Sequence, residues 1–176
     1  MNEDLRYPIG QFQMPAAVSD EDRRRWIDEI AAAPSGLRAA VAGLADEQLD
    51  TPYRPGGWTV RQVAHHLPDS HMNAYCRFRL ALTEQEPTIK PYDESRWAQL
   101  ADAQGAPVDL SLALLESLHR RWVLLLRSLG PADCARTYVH PEYGRRTLEL
   151  TLALYAWHGR HHIAHITSLR DRMGWR

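Results

Sequence analysis

Four of the chain's nine histidines, His158, His161, His162 and His165, fall within eight residues of the stretch Tyr155-Ala-Trp-His-Gly-Arg-His-His-Ile-Ala-His165. Imidazole is the commonest protein ligand for transition metals, so this density first suggests metal chemistry. An α-helix turns about 100° per residue, and positions four or seven apart share a face. On that spacing His158, His162 and His165 form one stripe, continued towards the N-terminus by Tyr155 and Thr151, with His161 at its edge. Two imidazoles at i and i+4 can reach one ion, as in the His-Glu-x-x-His helix of zinc proteases. Two ligands rarely hold a divalent ion tightly, so a third is needed from elsewhere in the chain.

The candidates are His65, His66 and His71, a second cluster upstream. His66 shares a helical face with Ser70 and Asn73. It is preferred over His65 because adjacent side chains point about 100° apart and only one of the two can face a common pocket. Any single histidine on a half-apolar face is more often a packed, hydrogen-bonded side chain than a ligand. The conjunction of two clusters on two helices moves the balance towards a metal site. His119, beside Arg120-Arg121, is expected on a solvated face, and His140 in a turn. Cys76 and Cys134 are too few and too far apart for a disulfide framework and read as free thiols; neither has a histidine at short helical spacing that would make it a catalytic nucleophile.

The elements that must position these residues can be read in order. Residues 1–18 contain Pro8, Gly10 and Pro15 and form an extended arm. Ser19 caps a helix with Asp20, Glu21 and Asp22 in its first turn. Pro34 interrupts the pattern, so two short helices, or one with a break, are expected to end near Ala45. Residues 46–57 read as loop. Thr59 with Gln62 is a capping box for a helix reaching about Thr83, with Pro68 inside it as an expected kink beside His66. Residues 84–108 form a long loop with one helical turn near 95–100, of a length that is usually functional or interfacial. Asp109 caps a third helix, Leu110 to Leu129, stopped by Gly130-Pro131. Cys134 to Arg146 suits a short hairpin turning at Glu142-Tyr-Gly144, and Thr147 to Met173 is the last helix. Four long helices in one chain of this size make a four-helix bundle, a single domain over 1–176, the expected all-α architecture.

Composition narrows the function. The formal net charge is -1, Lys90 is the only lysine, and the arginines are scattered, which gives no footing for nucleic acid or an anionic membrane. No stretch is apolar enough for a membrane span and the N-terminus has no signal-peptide core, so a cytoplasmic location is the default expectation.

Several segments together resemble the YfiT branch of the DinB superfamily, metal-dependent hydrolases whose relatives include bacillithiol S-transferases. They are Leu5-Arg-Tyr-Pro-Ile-Gly10, Gly56-Gly-Trp-Thr-Val-Arg-Gln-Val63 leading to His65-His66, and Asp69-Ser-His-Met-Asn73. Pro87-Thr-Ile-Lys-Pro-Tyr92 and Trp157-His-Gly-Arg-His-His-Ile-Ala-His-Ile166 complete the set. The resemblance implies an up-down-down-up bundle, often a homodimer, with a divalent metal on a histidine eight residues after the tryptophan and on an H-x3-H pair. Those positions are His66, His158 and His162 here. Pro68 departs from the helix former expected in such relatives, and His165 stands where wider members carry a different polar group.

Three neutral imidazoles leave coordination positions open, the mark of a catalytic site. Zinc suits such a set best; nickel, cobalt or iron would also bind. Hydrolysis of a small-molecule substrate by metal-activated water would use His71, His165 or Asp69 as base or acid. No glutamate sits between the paired histidines, which argues against proteolysis. The alternative is transfer of a low-molecular-weight thiol held as thiolate on the metal, with Arg61, Arg160 or Lys90 as candidates for gripping it. A third reading is a non-catalytic metal-stabilised bundle.

Overall fold

The computed structural model describes residues 4–175. The first long helix, α1 (Asp20–Val41), starts at a reciprocal cap: Ser19 Oγ accepts the Asp22 N–H, and the Asp22 carboxylate takes the Ser19 N–H. The break expected at Pro34 does not occur, and α1 runs straight through it. Proline lacks the N–H that would bond the carbonyl four residues back. Here that carbonyl, on Ile30, is instead satisfied from another helix, by His119 Nδ1 at 2.6 Å. A local fault is thus repaired by a tertiary contact.

A short helix α2 (Asp46–Leu49) occupies the region read as loop. Then α3 (Val60–Thr83) begins at the Thr59–Gln62 capping box, with both reciprocal bonds formed, and continues past Pro68. The long connection carries two short helices, α4 (Glu94–Trp97) and α5 (Ala101–Gly105), rather than one turn. The third long helix, α6 (Val108–Arg127), starts just before the expected Asp109 cap. After α7 (Pro131–Cys134) come β1 (Thr137–His140) and β2 (Gly144–Thr147), an antiparallel hairpin pairing His140 with Gly144. The final helix, α8 (Leu148–Met173), has a Thr147 cap and ends at left-handed Gly174.

Side-chain contacts give the helix directions. Along α1 and α8, Arg23 meets Glu149, Glu29 meets Arg160 and Arg170 reaches the Ala40 carbonyl, so both numbers rise together and the helices are parallel. His65–Ser111 and His71–His119 make α3 and α6 parallel too. Arg127–Asp28 and Arg38–Glu116 set α6 antiparallel to α1, and His66–His158 with Ser70–Tyr155 sets α3 antiparallel to α8. This is the up-down-down-up order. Two parallel neighbours, α3 and α6, require a connection that returns the full helix length, which accounts for the long 84–107 segment. It is pinned to the hairpin by reciprocal bonds, Ile89 N–H to the Val139 carbonyl and Val139 N–H to that of Pro87.

The apolar side chains divide into two clusters. One holds Ile30, Phe78, Trp122, Leu148 and Leu152, and the other Leu37, Val63, Leu67, Leu115 and Ile166. A layer of histidines from α3, α6 and α8 lies between them. The helices close tightly there: a Cβ on Gly159 would stand 3.2 Å from Ala33 Cβ, so the missing side chain lets α8 lie close against α1. No helix among the described residues is long and apolar enough to cross a membrane.

Candidate metal centre

The antiparallel packing of α3 on α8 turns His66 towards His158 and His162. The Nε2 atoms of His66 and His158 are 3.4 Å apart, and one ring nitrogen from each of the three residues lies within 4.8 Å of the others. Two nitrogens bound to one tetrahedral zinc at about 2.05 Å would be separated by about 3.3 Å. The His66–His158 edge therefore already has ligand spacing, and a His162 nitrogen lies within 4.8 Å of both. Burial disfavours the charged form of all three. It holds His66 down at about 4 and His158 and His162 well below the ordinary imidazole value, with mutual repulsion adding to the effect. They are neutral near pH 7, as metal ligation requires. His162 Nδ1 is buried without any hydrogen-bond partner. Without an ion the His66–His158 contact is satisfied when one ring donates to the other; neutral imidazoles can instead turn their lone pairs to a cation, and the donor set fits a divalent transition ion.

His66 and His162 line a cleft of about 950 Å³, whose walls include Tyr53, Arg54, Trp58, Ser70, Arg77, Tyr92, Tyr155 and His165. Trp58 roofs the centre, its ring 4.7 Å from that of His66 and stacked 6.3 Å from that of His162. The Tyr155 hydroxyl accepts long hydrogen bonds from Ser70 Oγ and Arg77, each at 3.4 Å. Tyr92, from the long connection, completes that wall, with its phenol pushed above the usual range chiefly by burial.

The three acid–base candidates are placed differently. His165 lines the cleft, stacked on Tyr53 at 4.0 Å. Its Nε2 is 3.0 Å from the Arg6 carbonyl, which can only accept, so Nε2 carries the proton and Nδ1, buried and unpartnered, keeps a bare lone pair. His71 is wholly buried and outside the cleft, with both ring nitrogens bonded to other histidines. Asp69 does not line the cleft either; burial first, and then Asp102, raises its carboxyl to about 6.

His65, for which no role was assigned from sequence, bonds Ser111 Oγ at 2.7 Å and the Ala106 carbonyl at 3.1 Å, tying α3 to the start of α6. His161 stacks on Trp157 at 4.3 Å, under Tyr7 of the N-terminal arm. A second trio, His161, His162 and His165, also has nitrogens within 4.8 Å, sharing His162 with the first. His119 is not on a solvated face as expected: it is 1% exposed, its direction set by its own helical angle and not by the arginines beside it. His140 is the buried last residue of β1 and lines the cleft, rather than sitting in a turn. Of the candidate anion grips, Arg61 is consumed by Asp46 and Asp50 and Arg160 by Glu29; neither they nor Lys90 line the cleft. Arg54 and Arg77 do. Sequence reasoning missed both, since nothing local marks a scattered arginine as cleft-facing.

An up-down-down-up bundle with three imidazoles converging beside an open cleft defines a class of helical metal-binding proteins. The chain belongs to the DinB superfamily, whose sequence pattern matches residues 20–166. It is 58% identical to a protein of Bacillus mycoides named "Putative metal-dependent hydrolase", over 98% of this chain and 99% of that one. A Bacillus cereus protein of the same name is 59% identical over the same shares. Among solved structures, YfiT from Bacillus subtilis, described as "a probable metal-dependent hydrolase with an unusual four-helix bundle topology", superposes with a TM-score of 0.95 at 52% identity, covering 98% of this chain and 99% of that one. The four-helix bundle protein TT2238 matches in fold alone, at a TM-score of 0.57 and 22% identity, over 83% of this chain and 98% of its own.

Proposed function

We propose that this protein is a metal-dependent hydrolase of small molecules, with a divalent ion, zinc as the best-suited, held by His66, His158 and His162. The observation that carries the reading is the meeting of three neutral imidazole nitrogens beside a cleft of about 950 Å³. Such an ion lowers the pKa of a coordinated water towards about 7 and polarises a carbonyl. The chain's own residues supply the rest. His165, whose ring lines the cleft and whose tautomer is fixed by the Arg6 carbonyl, is the candidate proton acceptor, its Nδ1 lone pair being covered in the free protein. The Tyr155 hydroxyl, held by Ser70 and Arg77, stands on the cleft wall as a donor for an oxygen that gains negative charge. Trp58 covers the centre and limits water access.

A second reading, transfer of a small anionic thiol to an electrophile, is favoured by one observation. Arg54 and Arg77 line the cleft, and among the described residues neither makes an ion pair with a carboxylate. One experiment separates the two. Cobalt- or zinc-loaded protein is assayed against activated esters and amides, and in parallel for conjugation of monochlorobimane with bacillithiol. Ester or amide turnover lost in His165→Ala supports the hydrolase; conjugation without hydrolysis supports the transferase. A cobalt spectrum indifferent to added thiols and to hydrolysable substrate analogues would sink both.

A further inference from the structure

Two histidines take no part in the cleft yet are buried at the seam of the bundle: His71 on α3 and His119 on α6, 0% and 1% exposed. Three short contacts join them in line. His119 Nδ1 lies 2.6 Å from the Ile30 carbonyl, His119 Nε2 lies 2.9 Å from His71 Nδ1, and His71 Nε2 lies 3.2 Å from His158 Nδ1. A backbone carbonyl can only accept a hydrogen bond, and a neutral imidazole has one donor nitrogen and one acceptor. The carbonyl therefore fixes the proton on His119 Nδ1 and leaves Nε2 bare. His71 must then donate from Nδ1, leaving its Nε2 bare, and His158 must donate from Nδ1. One nitrogen remains, His158 Nε2, with its lone pair aimed at His66 Nε2.

We propose that Ile30, His119 and His71 form a tautomer-setting chain that dictates which nitrogen of His158 is free to bind the metal. His71 and His119 are positioning residues, acting through His158 and touching no substrate. The chain starts at a carbonyl that is available because Pro34 supplies no N–H to it. A proline inside α1 and a histidine on α6 are thereby parts of one device that ends at a ligand on α8. Outer-sphere partners of this kind orient a ligating imidazole and raise its basicity.

The inference rests on the reading of His158 as a ligand, so its test has a limb that needs no metal. In metal-free full-length chain labelled with 15N-histidine, long-range 1H–15N correlations report the tautomer of each ring. His158 is expected as the Nδ1–H form. His119→Leu, which keeps bulk but neither donates nor accepts, should leave a mixture of His158 tautomers and weaken zinc binding about 10- to 100-fold in competition with a chromophoric chelator. His119→Gln can donate its amide N–H to Ile30 and accept from His71 with its oxygen, and should recover the Nδ1–H form and most of the affinity. A role in packing alone would rank the two variants the other way. His158 protonated on Nε2 in the parent chain, or a folded His119→Leu that keeps both tautomer and affinity, would overturn the proposal. Failure of the parent chain to bind zinc at all would instead sink the metal reading, with the tautomer spectra still deciding this one.

Discussion

Metal binding at the His66–His158–His162 centre should be visible as stability, and its size can be worked out. An ion that binds only the folded chain at about 100 times its Kd adds RT ln(101), about 2.7 kcal/mol. For 176 residues, an unfolding entropy of about 2.1 cal/mol/K per residue gives about 0.37 kcal/mol/K. Dividing the two, saturating zinc should raise Tm by about 7 °C over the chelator-treated protein. The perturbation is His162→Ala. It opens a hole beside Trp58 and lowers the metal-free Tm by packing loss, so the quantity to read is the zinc-induced increment. With two imidazoles left, that increment should fall below about 2 °C at the same zinc concentration. His140→Ala is the control: His140 lines the same cleft but belongs to neither histidine trio, and the full increment should survive. Calorimetry with and without zinc, backed by elemental analysis, makes the measurement. An increment retained in His162→Ala, or none in the parent chain, refutes the ligand assignment.

Other outcomes follow from the same geometry. Burial above all holds His119 at about 4 in the folded chain, against about 6.5 unfolded. The unfolded chain then binds the extra proton first, so this contribution is complete above pH 6.5 and is lost as pH falls towards 4. Between pH 7 and 5 the loss is about 2 kcal/mol, and His119→Gln should flatten the pH dependence of denaturant unfolding by that much; an unchanged slope would count against a neutral buried His119. Gly159→Val forces side-chain atoms into the 3.2 Å approach to Ala33 and should cost about 1–3 kcal/mol, read as a shifted urea midpoint; a neutral result would mean that α1 and α8 are not packed this closely. Arg77→Leu should raise KM about tenfold for anionic substrates and leave the KM of neutral ones unchanged, the value of one charge-assisted hydrogen bond, while any loss of kcat from loosening Tyr155 falls on both alike. Equal effects on the two KM values would show that Arg77 only supports Tyr155.

Much of this arrangement is written locally. Thr59 with Gln62 marks the start of α3, the four-residue spacing of His158 and His162 marks one face of α8, and the proposed ligand trio needs only those two elements to meet. What was hidden is non-local. Pro34 reads as a helix break because its missing bond is a local fact, whereas the donor that replaces it, on His119, lies 89 positions in sequence from the Ile30 carbonyl it serves. His119 itself was misjudged from its arginine neighbours, though on a helix adjacent residues point about 100° apart and say little about one another. The cleft-lining Arg54, Arg77 and Tyr92 come from three separate segments, and only the path of the long connection over the bundle brings them together.

The histidine layer separates the two apolar clusters and so interrupts the oily continuity that ordinarily makes a domain unfold in a single step. Without an ion, the four long helices still run through that level, but their side chains meet there through ring contacts and a few polar bonds in place of apolar packing. Amide exchange in the metal-free protein should therefore resolve two units opening with separate free energies, and loading the centre should merge them. An ion held at the proposed centre would tie the two apolar clusters together, and its supply would then bear on whether the molecule melts as one body or two.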